Sequence, residues 1–328
     1  MHYDINDQFA ADFEGRWASD RVTNSYELAV QSSSVFTGFA PRAILTYKPA
    51  QGMTIYGSWA RGIMPGTANL NVPLWSPAIQ AQARAVPGFT VNVGQETVDN
   101  FELGLKRQDN IFRYALTGYY MNWKNLKNQI NFPCPANLCG PNLPGSNAII
   151  FVPQPAHIYG VEAEINWAIN EHWDMNASAD YVHARYVRYV DPAAIAATGT
   201  QDASGKTIPG FPGSQAVLTT TYRDTLSGDW DWFVRGNVAY TGRIYVDTVN
   251  FAWIRPNVKL NARLGVERNG MRFEVYGDNL TNDKAWTGGL RGTQNNYHLA
   301  AAAVSQVSAI MALPRLRTFG IRATMQFD

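Results

Sequence analysis

"VKLNARLGVERNGMRFEVYGDNLTN", residues 258–282, reads as two short ribbons joined by Asn269-Gly270. Apolar and polar side chains alternate along both ribbons. Such alternation around an Asn-Gly pair predicts a β-hairpin, because both residues of the tight turn must adopt a positive φ. The hairpin has one apolar and one charged face. Its own sequence leaves open whether the apolar face meets a protein core or lipid.

The composition is poor in charge for a folded protein. Charged residues make up 16% of the 328 residues, against about 25% in a typical soluble domain. The net charge of +1 favours neither a nucleic-acid partner nor an acidic surface. No apolar run is long enough for a transmembrane helix, and the start "MHYDINDQFAADFEG" lacks the pattern of a signal peptide. We therefore expect either a cytoplasmic protein or a chain without its true beginning.

The alternation of the opening hairpin recurs along nearly the whole chain. No stretch shows a convincing helical period, so the sequence predicts an all-β fold. The predicted strands lie near residues 8–21, 38–49, 53–62, 96–108, 111–124, 156–169, 173–186, 214–224, 229–243, 257–268, 271–281 and 313–327.

The connections between these twelve strands alternate strictly between short and long. The short ones are 49–53, 108–110, 170–172, 226–228 and 269–270, and the long ones are 22–37, 63–95, 125–155, 187–213, 244–256 and 282–312. In an antiparallel up-and-down meander, this order puts all tight turns at one end and all long loops at the other. Such asymmetry is typical of outer-membrane β-barrels, which have short periplasmic turns and long extracellular loops.

Strand length and side-chain chemistry agree with a transmembrane barrel. The strands are about 10–14 residues long, and about 9–11 cross a bilayer at a tilt. The polar face carries charges of both signs, which a wet lumen can hold and a dry core cannot. Aromatic residues at strand ends suggest the interfacial girdles of such barrels. They are Trp17, Tyr47, Trp123, Trp167, Trp173 and Trp230.

Several segments resemble TonB-dependent outer-membrane receptors. They are "YGSWARGIMPG" (56–66), "QETVDNFELGLK" (95–106), "YALTGYYMNWKNLKNQI" (114–130), "IYGVEAEINW" (158–167) and "VYGDNLTNDKAW" (275–286). Each motif alone is weak, but five occur in the right order with matching hairpin spacing. The chain also ends in an amphipathic strand with Phe327 next to last, whereas the family usually ends on the aromatic residue that the barrel-assembly machinery recognises.

The resemblance implies a 22-stranded barrel with an N-terminal plug domain. We expect residues 1–328 to be the C-terminal part of such a barrel, without plug or signal peptide. Twelve strands alone leave two unpaired edges, near 8–21 and 313–327, and lipid does not tolerate open edges. The chain must therefore close into a narrower barrel, pair with another chain, or fail to insert.

Two cysteines, Cys134 and Cys139, lie in a loop rich in Pro, Asn and Gly. Their spacing permits a disulfide, which suits an oxidising compartment. Two free thiols are the alternative, and a metal site lacks further ligands nearby. We predict a disulfide.

The sequence gives little support for an enzyme. It has no phosphate-binding loop, zinc signature or nucleophile elbow, so we expect neither catalysis nor a cofactor nor a bound metal. His183 near a strand end could serve an outer-membrane hydrolase, but no nucleophile stands at a fixed spacing from it. Glu162 and Glu164 share a face, and we interpret them as part of a lumen lining.

Candidate binding residues lie in the long loops. Aromatic rings with arginine can hold an anionic, aromatic iron chelate by stacking and charge, although any single residue of this kind can simply shield the barrel mouth. The candidates are Trp75, Arg84, Tyr245, Trp253, Arg255, Arg291 and Tyr297.

The resemblance implies a role in uptake across the outer membrane of Gram-negative bacteria. The intact receptor would bind a ferric siderophore or a similar scarce nutrient and import it with energy from TonB, whose contact lies in the plug. We expect this chain alone to lack energised transport. The alternative is a passive, porin-like channel. In either barrel, the opening hairpin should turn Val258, Leu260, Leu264, Met271 and Phe273 to lipid, and Lys259, Arg263, Glu267, Arg272 and Glu274 to the lumen.

Overall fold

Alternating side chains fold the chain into one long antiparallel meander. The computed structural model describes residues 1–26, 30–132, 148–294 and 306–326. Their strands are β1 (His2–Asp4), β2 (Phe9–Tyr26), β3 (Val30–Ala50), β4 (Met53–Met64), β5 (Thr67–Ala68), β6 (Asn92–Val93), β7 (Glu96–Gln108), β8 (Phe112–Phe132), β9 (Ala148–Ala168), β10 (Trp173–Tyr186), β11 (Ser214–Ser227), β12 (Trp230–Thr241), β13 (Ile244–Tyr245), β14 (Trp253–Ile254), β15 (Asn257–Arg268), β16 (Met271–Asp278), β17 (Gly288–Gln294), β18 (Gln306–Ala312) and β19 (Thr318–Met325).

The main sheet has 13 strands in chain order, β1-β2-β3-β4-β7-β8-β9-β10-β11-β12-β15-β16-β19. All twelve predicted strands are present, and β1 adds one more at the first edge. Each neighbouring pair is antiparallel, and no pairing joins β1 to β19 among the described residues. The three other strand pairs, β5–β6, β13–β14 and β17–β18, lie inside long connections.

The five tight turns are confirmed at one end of the meander. At the turn of the opening hairpin, Asn269 has φ 44° and Gly270 has φ 75°, as a two-residue hairpin turn requires. The predicted loop 22–37 is largely paired strand instead, with Thr23 opposite Ser33. Alternation of apolar residues could not reveal this extension, because polar residues such as Thr23, Asn24 and Ser33 occupy much of both faces.

The predicted loop 125–155 is also shorter in the structure, because β8 and β9 continue beyond the predicted strands. A bulge follows Trp123, where Asn125 adopts φ 57°. Such a bulge adds one residue and redirects the side chains that follow. Beyond it, Ile130 lies opposite Ile150 and both are buried.

The two faces of the sheet differ as the opening hairpin predicts. Leu264 and Phe273 are about half exposed on the apolar face. On the other face, Glu274 is buried and forms ion pairs with Arg263 and Arg322. At the loop end of the sheet, the long loops cover the charged face. Ala184 lies on that face and is fully buried there. The charged face is therefore the interior of the curved sheet.

The long loops share a hydrophobic core of their own, which we call the loop core. It covers the charged face of the sheet at the loop end. Its buried members are Val72, Trp75, Ile79, Ala83, Val86, Ile130, Ile150, Val152, Tyr186, Tyr189, Ala194, Ala203 and Val249. Four separate connections meet in it, so it fixes the loops relative to one another.

Two further sequence interpretations require correction. The segment 63–95 contains a helix, α1 (Pro77–Ala85), although no helix was expected. It is too short to show a clear period, and it is held by burial of Ile79 and Ala83 in the loop core. A second, four-residue helix, α2, spans Ile195–Thr198. None of the described helices is long and apolar enough to cross a membrane.

Trp123 does not belong to an aromatic girdle on the outside of the sheet. Its indole Nε1 donates a hydrogen bond of 2.8 Å to Oε2 of the buried Glu96. Its strand partner Ala156 is fully buried on the charged face. Strand position alone suggested a girdle residue, but the alternation along β8 places this ring inside.

Candidate functional site

A short hairpin at the loop end presents two of the predicted binding residues on one open surface. In β13–β14, Ile244 pairs with Ile254 and Tyr245 pairs with Trp253. Paired residues of a sheet share a face, and successive residues alternate between faces. The isoleucines are buried with Val246, against Met311 of β18. Tyr245 and Trp253 therefore lie on the opposite face, where Trp253 is 51% exposed.

Arg243 completes this surface. Its guanidinium carbon lies 5.2 Å from the ring centroid of Trp253 and 5.9 Å from that of Tyr245. Its Nη1 also donates to the Tyr245 hydroxyl at 3.4 Å. These distances are within the range of cation–π attraction. We call Arg243, Tyr245 and Trp253 the Arg243 cluster.

The backbone around the Arg243 cluster is held by hydrogen bonds. The Gly210 N–H donates to the Tyr245 carbonyl at 2.9 Å, and the Gly213 N–H donates to the Arg243 carbonyl at 3.3 Å. Asp247 is buried and accepts hydrogen bonds from three backbone N–H groups between the two strands. The cluster is therefore presented by a fixed turn.

The charge of Arg243 is not neutralised by the described part of the chain. No described carboxylate lies within ion-pair distance of its guanidinium. A cation held against two ring faces can bind a flat anionic group by charge, bidentate hydrogen bonds and stacking. This is the strongest candidate site at the loop end.

Arg255, also predicted as a binding residue, is engaged in an ion pair. Its Nη2 and Nη1 lie 2.9 and 3.0 Å from the two carboxylate oxygens of Asp283. Burial alone raises the pKa of Asp283, but the Ala285 N–H and the Arg255 guanidinium outweigh it and hold the pKa below its usual range. Arg255 therefore ties β14 to the last loop.

The Arg255–Asp283 pair predicts acid sensitivity of the loops. A lowered pKa means that ionised Asp283 stabilises the fold above the unfolded pKa of about 3.9, and that this contribution is lost as the pH falls through the lower folded value. We expect the protection factors of the amides of residues 252–255, which are corrected for the intrinsic pH dependence of exchange, to be constant from pH 7 to about pH 4.5 and to fall below about pH 4. In Asp283→Asn, protection should be low throughout and lack this step. A step of equal size in the variant would contradict the assignment.

The other predicted residues do not join the Arg243 cluster. Trp75 is 4% exposed within the loop core. Arg84 is exposed on α1 and donates to Gln80 at 3.4 Å. The backbone of Arg291 lies in β17. Tyr297, Cys134, Cys139 and Phe327 lie outside the described residues, so the proposed roles of these four residues stay predictions.

Sequence reasoning missed Arg243, although a signal was present. The predicted strand 229–243 ended on it, so it was not counted among loop residues. In "GRIYVDT", residues 242–248, Arg243 and Tyr245 stand two apart. In extended chain such residues share a face, and this spacing could have placed them together.

Comparison with known proteins identifies the family. Residues 1–280 match the family model described as TonB dependent receptor-like, beta-barrel. A probable TonB-dependent siderophore receptor of Acinetobacter baumannii, PiuA, is 21% identical over 318 residues, which cover 94% of this chain and 39% of that protein. The chain thus spans about two fifths of the length of this relative.

Solved structures share the fold at low sequence identity. The ferric yersiniabactin uptake receptor FyuA from Yersinia pestis matches with a TM-score of 0.70 and 16% identity, over 100% of this chain and 44% of its own. The copper transporter OprC matches with a TM-score of 0.68 and 13% identity, over 99% of this chain and 46% of its own. With the family model covering most of the sequence, this chain belongs to the TonB-dependent receptor-like β-barrel family of the outer membrane.

Proposed function

We propose that the Arg243 cluster forms part of an extracellular site for an anionic, aromatic iron chelate, which the receptor imports with energy from TonB. The observation that carries the proposal is the geometry of Arg243, a cation fixed beside the exposed ring of Trp253 and the half-buried ring of Tyr245, without a carboxylate partner among the described residues. Ferric chelates built on aromatic oxygen donors are flat-sided and carry negative charge. Ring stacking and charge act together on such a ligand.

Relatives support an uptake role but do not select the cargo. PiuA is a probable siderophore receptor, and FyuA is a receptor for ferric yersiniabactin. OprC, which has the same fold, is a copper transporter. Because one barrel fold serves different cargo, substrate choice must come from loop residues. Among the loop surfaces that the structure describes, the Arg243 cluster is the strongest candidate for selecting the cargo, because it combines a cation with two aromatic rings.

The proposal assigns binding and transport to the chain, and no catalytic step. The family match favours a receptor over a passive porin-like channel. His183, the one residue considered for a hydrolase, stacks on Tyr159 with ring centroids 4.6 Å apart. Its strand partner Tyr159 is on the apolar, outer face of the sheet, away from the loop surface that carries Arg243.

Substitution of Arg243 tests the proposal. We expect Arg243→Gln to weaken binding of a ferric tris-catecholate about tenfold, because a cation beside aromatic rings contributes on the order of 1–2 kcal/mol to such a complex. Binding is measured with radioactive iron on outer membranes from cells that express the protein. A neutral ferric tris-hydroxamate is the second probe.

Two control variants distinguish binding at the Arg243 cluster from nonspecific attraction to positive charge at the barrel mouth. Arg84→Gln removes another exposed loop arginine and should leave tris-catecholate binding unchanged. Trp253→Leu keeps an apolar side chain but removes the ring, and we expect a loss similar to that of Arg243→Gln. Equal binding by wild type and Arg243→Gln would refute the site, and preference for the neutral probe would refute the ligand class.

A further inference from the structure

The outer face of the sheet carries a polar row near its loop end. Strand register places five residues side by side across β4, β7, β8, β9 and β10. They are Arg61, Asp99, Asn122, His157 and Arg185. With neighbouring strands about 4.8 Å apart, the row is about 19 Å wide.

An aromatic row lies directly below it, one step closer to the tight turns. Trp59, Phe101, Tyr120 and Tyr159 are paired across the same strands, and Phe101 is 48% exposed. Below these, Leu103 and Val161 are exposed and apolar. Aromatic side chains mark the membrane–water interface of such barrels. The polar row therefore lies at the level of the lipid headgroups, on the extracellular side.

Lys124 follows Asn122 on the same face of β8, opposite Thr97, and with it the polar row carries net positive charge. Arg61 is neutralised by Asp99, with Nε 2.8 Å from Oδ1. Lys124 and Arg185 are exposed, and in the part of the chain that the structure describes neither has a carboxylate within ion-pair distance. Arg185 is instead fixed by a hydrogen bond from Nη1 to the Gly205 carbonyl at 3.0 Å. We call Arg61, Lys124, His157 and Arg185 the outer basic patch.

Charge on the outer face is unevenly distributed at the loop end. The outer face there on β11, β12 and β15 carries Ala216, Leu218, Val238, Tyr240 and Val258, and none of these is charged. On the other side of the patch, strand register places the exposed Arg21 of β2 on the same face, opposite the exposed Val35. The basic residues at this level therefore lie between β2 and β10, and the loop end from β11 to β15 lacks them.

We propose that the outer basic patch binds the phosphorylated headgroup of an anionic lipid in the outer leaflet. Lysine and arginine beside a membrane attract anionic headgroups, and the aromatic row below offers a surface for the acyl chains. Lys124 and Arg185 are exposed, have no carboxylate within ion-pair distance among the described residues, and lie at headgroup height over apolar residues. They match such a lipid in both charge and position.

Lipid binding to the detergent-extracted protein, measured by native mass spectrometry, tests this proposal. The probes are bis-phosphorylated lipid A and the same lipid without its phosphates. We expect the phosphorylated form to be retained and the other not. Lys124→Gln with Arg185→Gln should lower retention about 30-fold, since each basic residue near a headgroup contributes about fivefold.

Arg107→Gln is the matched control. This exposed arginine lies in β7 at the tight-turn end and pairs with Asp109, so retention should stay at the wild-type level. Lys124→Arg with Arg185→Lys should also retain the lipid, and folding of each variant is verified by heat-dependent mobility on gels. Equal retention of both lipids by wild type, an equal loss in Arg107→Gln, or displacement by millimolar inorganic phosphate would overturn the proposal.

Discussion

Trp75→Ala is expected to unfold the loop core while the sheet stays intact. Trp75 is 4% exposed and packs among residues from four connections. Removing a buried tryptophan ring costs about 3–5 kcal/mol through lost burial and the cavity that remains. The loss should be local, because the strands keep their own backbone pairing. Hydrogen exchange of α1 and of residues 186–208 should accelerate by at least a hundredfold.

Arg84→Ala on the same helix is the control for Trp75→Ala. Arg84 is exposed, and its one described hydrogen bond joins it to Gln80 on its own helix. We expect its effect on hydrogen exchange to stay within about 0.5 kcal/mol. The pair of variants also separates two roles for Trp75. Loss of ligand binding in Trp75→Ala with unchanged exchange of α1 would make Trp75 a ligand contact and refute its packing role.

The sheet could be predicted because its signals are local and repeated. Alternation identified the strands, and Asn269-Gly270 fixed the register of one hairpin. No single hairpin predicts whether the apolar face meets lipid or a core. That prediction came from the alternation of short and long connections along the chain. A core face and a lipid face have the same period, so no single strand could supply it.

The candidate site was predicted less well because tertiary packing decides it. Trp75 and Trp253 are equivalent in sequence, since both are tryptophans in long loops. One is buried by loops distant in sequence, and the other is left open by a two-residue strand pair. Likewise, Arg255 and Arg243 differ only in their partners, because Asp283 from a later loop neutralises Arg255. Such long-range partners leave no local pattern.

Glu274→Ala is expected to destabilise the last strand of the described sheet. The Glu274 carboxylate is buried and lies 3.2 Å from Arg322 of β19, 3.3 Å from Arg272 and 3.5 Å from Arg263. It is the shared counter-charge of three arginines on the inner face. Removing the buried carboxylate costs about 1–3 kcal/mol, because its contacts with charged groups are lost while the three guanidinium groups remain partly exposed to water.

The effect of Glu274→Ala should concentrate on β19, because Glu274 and Arg322 are direct strand partners. We expect faster hydrogen exchange of Thr318–Met325 and a lower urea midpoint in lipid vesicles. Glu267→Ala is the matched control on the same face, since Glu267 is more exposed and lies 3.7 Å from Arg272 alone. A more exposed pair contributes less than about 1 kcal/mol. An equal shift of the urea midpoint in both variants would contradict this prediction. It would mean that burial of Glu274 adds nothing to the stability of the sheet and that solvent compensates the three arginines.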